Sequence, residues 1–354
     1  MLQPDGKTFE FGVYAFGELL PDPVSGEKIS AEQRIRNIIE TAKLAEEAGL
    51  DVFGLGEHHR LDFAVSAPHV VLAAIAERTS RILLTSAATI LSAADPVRVF
   101  EEFATLDLVS GGRAEIMVAR GAFTEPFPLF GYDLDLYDEL FKEKFELLQV
   151  LNRHERVTWS GKHRPALNQN EIAPRPRQKE LPIWLGVGGS AESAERAGQA
   201  AAGMAIAILK GEPEPFQPLA EIYRKTGAAA GHPPEALRIA ITSHGYVGKT
   251  AGQAIDDYFP YYANYKKMRS GRTVEKDQLI GAASSAREAL AVGGPDEIVE
   301  KILYQYDLFG HNRYLLQMDI GQPLKKVAEA IELLGTQVAP AVRKAIKSRN
   351  AAKA

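Results

Sequence analysis

Cysteine is absent from the chain. That excludes disulfide staples, a thiolate nucleophile and any cysteine-ligated zinc or iron–sulfur centre. An excess of one charge sign is missing too: 41 Lys and Arg stand against 46 Asp and Glu, a net charge of −5. No broad basic surface is available for a polyanion, so nucleic acid is not an expected partner. No apolar run approaches the ~20 residues a membrane-spanning helix needs. The opening MLQPDGKTFE has no apolar stretch behind a basic start. The expectation is a cytoplasmic protein without membrane contact.

What is there is the balance of a soluble globule, 45% hydrophobic and 25% charged over 354 residues, enough for a sizeable core and unlike disordered or coiled-coil composition. At ~150 residues per domain the length suggests two domains, but barrels and other α/β folds often run longer as one. Strand-like apolar runs alternate with helical patterns from end to end. The expected strands are Phe9 to Phe16, Asp51 to Gly56, Ile82 to Thr89, Arg113 to Ala119, Pro182 to Val187, Gly203 to Leu209, Leu237 to Val247 and Arg313 to Asp319. Runs such as IWLGV and GMAIAIL lack polar alternation, as strands of a parallel sheet covered on both faces do.

Helix signals fall between the strands. Ser30 and Gln33 form a capping-box pattern ahead of Ile35, Ile38, Ile39 and Ala42, and Gly49 stops that helix. Asp95 followed by Pro96 marks another start, and Gly111-Gly112 its end. Further helices fit Ala67 to Arg78, Tyr137 to Asn152, Ser190 to Ala200, Pro215 to Ala230, Asp296 to Phe309 and Leu324 to Lys347. Eight strand–helix units predict a single α/β domain over residues 1–354, a (β/α)8 TIM barrel of the kind that takes ~250 residues before insertions. The surplus falls in loop insertions at Glu155 to Leu181 and Asn264 to Gly294, the second a candidate mobile lid. An open doubly wound sheet uses the same alternation and is the main rival.

Barrel enzymes build their sites at the carboxyl ends of the strands. After the second strand comes Glu57-His58-His59-Arg60, either a solvated loop or a reactive cluster; a metal site has no partner motif such as HExxH to complete it. After the third, Ser86-Ala87-Ala88-Thr89 offers small residues that admit a flat ligand or simply pack closely. The fourth ends in Ala119-Arg120-Gly121, a guanidinium suited to a phosphate, a carboxylate or a structural ion pair. The fifth runs into Gly186-Val187-Gly188-Gly189-Ser190 and a helix carrying Glu192 and Ser193, where backbone N–H groups, the helix dipole and two hydroxyls make the best phosphate site in the chain. Gly248-Lys249-Thr250 looks like the end of a P-loop, but Ser243 stands where its first glycine belongs, so it reads as a strand end and helix cap. Tyr258, Phe259, Tyr261, Tyr262 and Tyr265 read most simply as a packed helix or lid face, with a substrate pocket as the other option.

Taken in order, EHH, then AATILSAADPVRVFEEFATLDLVSGGR, VARG and GVGGSAES resemble the bacterial luciferase-like flavin monooxygenases over nearly the whole chain, most closely from Ala87 to Gly131. The resemblance implies a (β/α)8 barrel that uses reduced FMN and molecular oxygen to oxygenate a small organic substrate, with the flavin supplied by a separate flavin reductase. It implies that His58 is the catalytic histidine beside the flavin ring and Glu57 its neighbour. Ala87 and Ala88 become a pair joined by a non-proline cis peptide beneath the ring. Arg120, Ser190 and Ser193 become phosphate ligands, with Gly121, Gly188 and Gly189 bringing backbone close to the cofactor. A homodimer packed through Ala67 to Arg78 and Pro96 to Val109 is implied as well. The luciferases carry a cysteine where this chain has Ala119, so thiol modulation of the flavin is not expected, nor is light emission. A deazaflavin-dependent dehydrogenase and a non-catalytic flavin-binding protein are the alternatives on the same barrel.

Overall fold

The computed structural model of the chain describes residues 9–121 and 123–352. Its centre is eight parallel strands: β1 Glu10–Ala15, β2 Val52–Leu55, β3 Leu83–Ser86, β4 Ala114–Ala119, β5 Ile183–Val187, β6 Gly203–Ala207, β7 Ile239–Val247 and β8 Arg313–Asp319. Each pairs with the next, and the β7–β8 and β8–β1 ladders close the ring. A closed barrel replaces the open-sheet alternative. Beyond β3 the chain passes through Ala87 and Ala88, whose connecting peptide is cis, into the short strand Thr89–Ile90, which pairs with Val118 and Ala119 at the end of β4.

The surrounding helices are α1 Ala31–Glu47, α2 Pro68–Ala76, α3 Pro96–Ser110, α4 Tyr137–Arg153, α5 Ala191–Gln199, α6 Gln217–Ala229, α7 Ala251–Ser270, α8 Lys276–Ala283, α9 Pro295–Phe309, α10 Leu324–Leu333 and α11 Ala339–Ala351. Their ends follow local chemistry. Asp95 accepts hydrogen bonds from the N–H groups of Val97 and Arg98, and α3 stops at Gly111 in the left-handed region. The capping box at α1 is only half made: Ser30 Oγ accepts from the Gln33 N–H at 3.1 Å, while the Gln33 side chain turns outward to Asn37 at 2.8 Å. Thr250 caps α7 through the Gln253 N–H, as a strand end and helix cap require. The last expected helix is interrupted by a π-helical turn at Leu334–Val338.

Both insertions carry more regular structure than their composition suggests. The first contains an antiparallel hairpin of Arg156–Trp159 and Leu167–Glu171. The second contains the last turns of α7, all of α8, and a strand Ala291–Gly293 that pairs in parallel with the outer end of β7. Tyr258, Tyr261, Tyr262 and Tyr265 form the buried face of α7; Tyr258 stacks on Tyr246 and Tyr262 with ring centres 5.7 and 5.5 Å apart. Tyr261 donates to Asp22 at 2.8 Å and Asn264 to the Pro21 carbonyl at 2.9 Å. Tyrosine rings do the packing that aliphatic residues do elsewhere, so the usual apolar periodicity is faint.

The main core lies between barrel and helices. A second cluster fills the barrel itself, built from Tyr14, Val52, Met117, Trp184, Ala205, Ala240 and Leu315. Beneath it an ionic floor closes the barrel. Arg313 donates to Glu10 at 2.7 Å and to both oxygens of Glu115 at 2.6 and 3.0 Å, and its guanidinium lies 4.2 Å from the Trp184 ring centre. Arg238 reaches the same Glu10 oxygen at 2.7 Å.

Candidate active site

Above the floor, at the carboxyl end of the strands, a cavity of about 300 Å3 opens. Its wall is made where the strands supply small residues: Ala87 and Ala88 beyond β3, Ala119 on β4, Gly186 on β5, and Ala205 and Ala207 on β6. Such residues leave room for a flat ligand inside a barrel that bulkier side chains would fill. Glu57, His58, Arg120, Gly121 and Gly188 line the same cavity, so most of the sequence-predicted site residues converge. Gly189, Ser190 and Ser193 do not line it; they follow Gly188 directly, at the amino end of α5.

His58 is buried between aromatic rings, stacked on Phe63 at 4.1 Å and close to Phe16 and Phe123. Burial, reinforced by the positive charge of Arg269, pushes its pKa down to about 3, so the imidazole is neutral at working pH, and its Nδ1 has no partner. His59 points elsewhere, with Nε2 2.8 Å from Glu57 Oε1 and its ring against Phe130. Adjacent histidines thus face different neighbours, and among the described residues no group of three or more His, Asp or Glu side chains is placed to hold a metal. Glu57 also accepts from the Ile90 N–H at 3.1 Å, which ties the β2 loop to the segment beyond the cis bond. Arg60 is occupied by Asp62 and Glu125 and is structural.

At the other end of the wall Arg120 lies over the Tyr137 ring at 5.3 Å and pairs with the exposed Asp138 at 2.6 Å. An exposed pair of this kind is weak and yields readily to a competing anion. Gly189 has φ of 134°, a conformation glycine alone adopts freely, and a Cβ at Gly188 or Gly189 would meet nothing within 4 Å. The backbone here borders open space. Ser190 Oγ accepts from the Ser193 N–H at 3.3 Å and donates to Glu192 at 2.7 Å, while Ser193 is buried.

Sequence reasoning missed three residues. Arg196, in the second turn of α5 and behind the cavity lining, lies against Phe141, and the charge of Arg120 helps to lower its pKa after burial. His244, on β7, is buried in the cavity wall with Nδ1 unpartnered and its pKa pushed down to about 3 by burial. Arg269 enters the cavity from the last turn of α7. No local motif marks them, because the tertiary path of a helix brings two of them to the site and the third sits inside an apolar strand.

The fold and site together define a (β/α)8 barrel with a ligand cavity at its carboxyl face, the place where barrel enzymes work. The family model for luciferase-like monooxygenases matches residues 9–312, and the chain belongs to that family. Among curated relatives, the oxygenase component of the flavin-dependent trigonelline monooxygenase of Acinetobacter baylyi is 21% identical over 89% of this chain and 93% of its own length. Among solved structures, the monooxygenase RslO1 of Streptomyces bottropensis is 25% identical with a TM-score of 0.80 over 94% of this chain and 99% of that one. The oxygenating constituent of 3,6-diketocamphane monooxygenase of Pseudomonas putida, in complex with FMN, shares the fold with a TM-score of 0.74 at 19% identity, covering 94% and 98% of the two chains. A coenzyme F420-dependent secondary alcohol dehydrogenase shares it equally, with a TM-score of 0.74 at 15% identity over 95% and 99%.

Proposed function

We propose that the protein is the oxygenase component of a two-component monooxygenase, which uses reduced FMN from a separate flavin reductase and molecular oxygen to oxygenate a small organic substrate. The observation that carries this reading is the single cavity that brings His58, the small-residue wall at Ala87 and Ala88, and the Arg120–Gly188 end together. The donor set suits FMN: a guanidinium released cheaply from Asp138, backbone N–H groups at a helix start, and an apolar wall of small residues against which a flat ring can lie.

In this reading Arg120, Ser190, Ser193 and the Gly188–Gly189 backbone hold the phosphate, with Arg196 adding charge behind them. Ala87, Ala88, Ala119 and Gly121 border the ring. When bound, reduced FMN supplies the electrons that activate oxygen. His58, held neutral, offers one hydrogen-bond donor and one acceptor towards the reacting atoms. Glu57 keeps that loop in register through Ile90 and His59. Phe16, Phe123 and Arg269 keep bulk water from the mouth, the protein's main task in oxygen chemistry.

The test is FMN titration followed by oxygen uptake with a reductase. Arg120→Ala should weaken FMN about tenfold or more and Ser190→Ala less, as lost charge-assisted and neutral hydrogen bonds do, whereas His58→Ala should keep flavin and lose turnover. Wild-type affinity in both phosphate-site variants overturns the anchor. Coenzyme F420 with hydride transfer is the second reading, raised by the barrel shared with the F420-dependent dehydrogenase; it consumes no oxygen. A flavin-holding role without catalysis binds FMN and forms no product. We place the enzyme in the cytoplasm as a homodimer joined through α2 and α3, where Val70, Leu108 and Val109 are exposed; among the described residues no helix is long and apolar enough to cross a membrane.

A further inference from the structure

We propose that the substrate is a small organic carboxylate whose charged end is held by the Arg269 guanidinium at the cavity mouth. The proposal deepens the monooxygenase reading and rests on it for the chemistry, though not for the binding.

Arginines elsewhere in the molecule donate to backbone carbonyls, as Arg113, Arg175 and Arg224 do, or pair with acids. Arg34 pairs with Glu18 and Asp319, Arg313 with Glu10 and Glu115, Arg60 with Asp62 and Glu125, and Arg120 with Asp138. Arg269 differs. Its Nη1 donates to the Tyr265 hydroxyl at 3.2 Å and its guanidinium lies 5.4 Å from the Phe123 ring centre, but no carboxylate among the described residues pairs with it. One turn earlier, Lys266 is half-buried against Tyr262, and its pKa is lowered by burial and then by the like charges of Arg269, Lys210 and Arg272. Cations gathered in this way repel one another, and an incoming anion relieves that repulsion.

The positive charge at the cavity divides into two poles. Arg120 acts on Glu192 and Arg196, beside the amino end of α5. Arg269 acts on His58, His244 and Tyr14, over the centre of the barrel. A phosphate accounts for the first pole and leaves the second free. Beside that second pole is His244, 3% exposed, in the cavity wall, with an unpartnered Nδ1. The same cavity is also lined by Tyr14, Phe16, Phe123, Leu209 and Leu315, which suits an apolar body. The planar donor fork of arginine matches a carboxylate in two parallel hydrogen bonds. Cations near a helix carboxyl end also favour the helix dipole, but the exposed Lys267 serves that end without entering the cavity.

The experiment measures binding of benzoate against benzamide, and of hexanoate against hexanamide, by calorimetry on the whole chain with and without FMN. At least one acid should bind about tenfold or more tightly than its amide. Arg269→Gln should abolish that preference while changing FMN affinity less than about twofold, and Arg269→Lys, which keeps charge but loses the fork, should retain part of it. The melting midpoint of each variant checks that α7 stays docked. The proposal is overturned if neither acid outbinds its amide, if the preference survives Arg269→Gln, or if that variant weakens FMN about tenfold, which would assign the pole to the cofactor. Failure of the flavin reading looks different: the wild-type chain then binds no FMN while the acid–amide difference persists.

Discussion

His58 shows how much a residue's surroundings alter its chemistry. An imidazole in water titrates near neutrality, but here aromatic burial and Arg269 bring its pKa to about 3. The expected outcome is a turnover profile between pH 5 and 8 with no inflection from His58, checked by comparing wild type with His58→Gln, whose rate should be lower by a factor constant across that range. Glu57→Ala leaves the Ile90 N–H without its acceptor and should cost about 1–3 kcal/mol, read from the urea midpoint. At this scale the sequence was informative where position along the barrel confers meaning: EHH follows β2, and VARG ends β4. It was silent about His244, which stands in an apolar strand like any core residue.

Among the elements, α5 matters most, because the proposed phosphate site lies at its amino end. Its placement depends on a close crossing with α6: a Cβ on Gly198 would lie 2.5 Å from the Tyr223 carbonyl oxygen and 3.1 Å from the Gly227 nitrogen. Gly198→Val should force the helices apart, lowering the melting temperature by several degrees and weakening FMN several-fold; unchanged FMN affinity in the folded variant would separate α5 from the cofactor. The strands and most helices were legible because their apolar period and caps are local signals. The course of α7 was not, since its buried face is tyrosine and its contacts with Pro21 and Asp22 span most of the chain. Arg269 was therefore invisible as a site residue.

For the whole molecule, acid stability follows from buried titratable groups. His58, His244 and His311 are held neutral, each with a pKa pushed down to about 3, while in the unfolded chain each binds a proton below about 6.5. Stability therefore falls as pH drops through that window. Glu18 and Glu102, raised by burial to about 7, oppose this: between about 4.5 and 7 the fold retains protons that the unfolded chain releases. The melting temperature should decline gently from pH 7 to about 4.5 and steeply below, and His311→Asn should soften the acid limb; a scan showing equal slopes throughout contradicts this assignment. Glu115→Ala, which leaves the buried Arg313 guanidinium only Glu10, an acid it already shares with Arg238, should cost about 3 kcal/mol in a denaturant titration.

That same floor has a kinetic consequence. With Arg313, Glu10, Glu115 and Trp184 plugging one end of the barrel, traffic among the described residues uses the open carboxyl end, and whatever reaches the deep wall must arrive before whatever occupies the threshold. On the proposed reading, with FMN along the Ala87–Ala88 wall and the substrate at Arg269, turnover follows a compulsory order in which cofactor enters first and departs last, and product inhibition patterns will display that sequence.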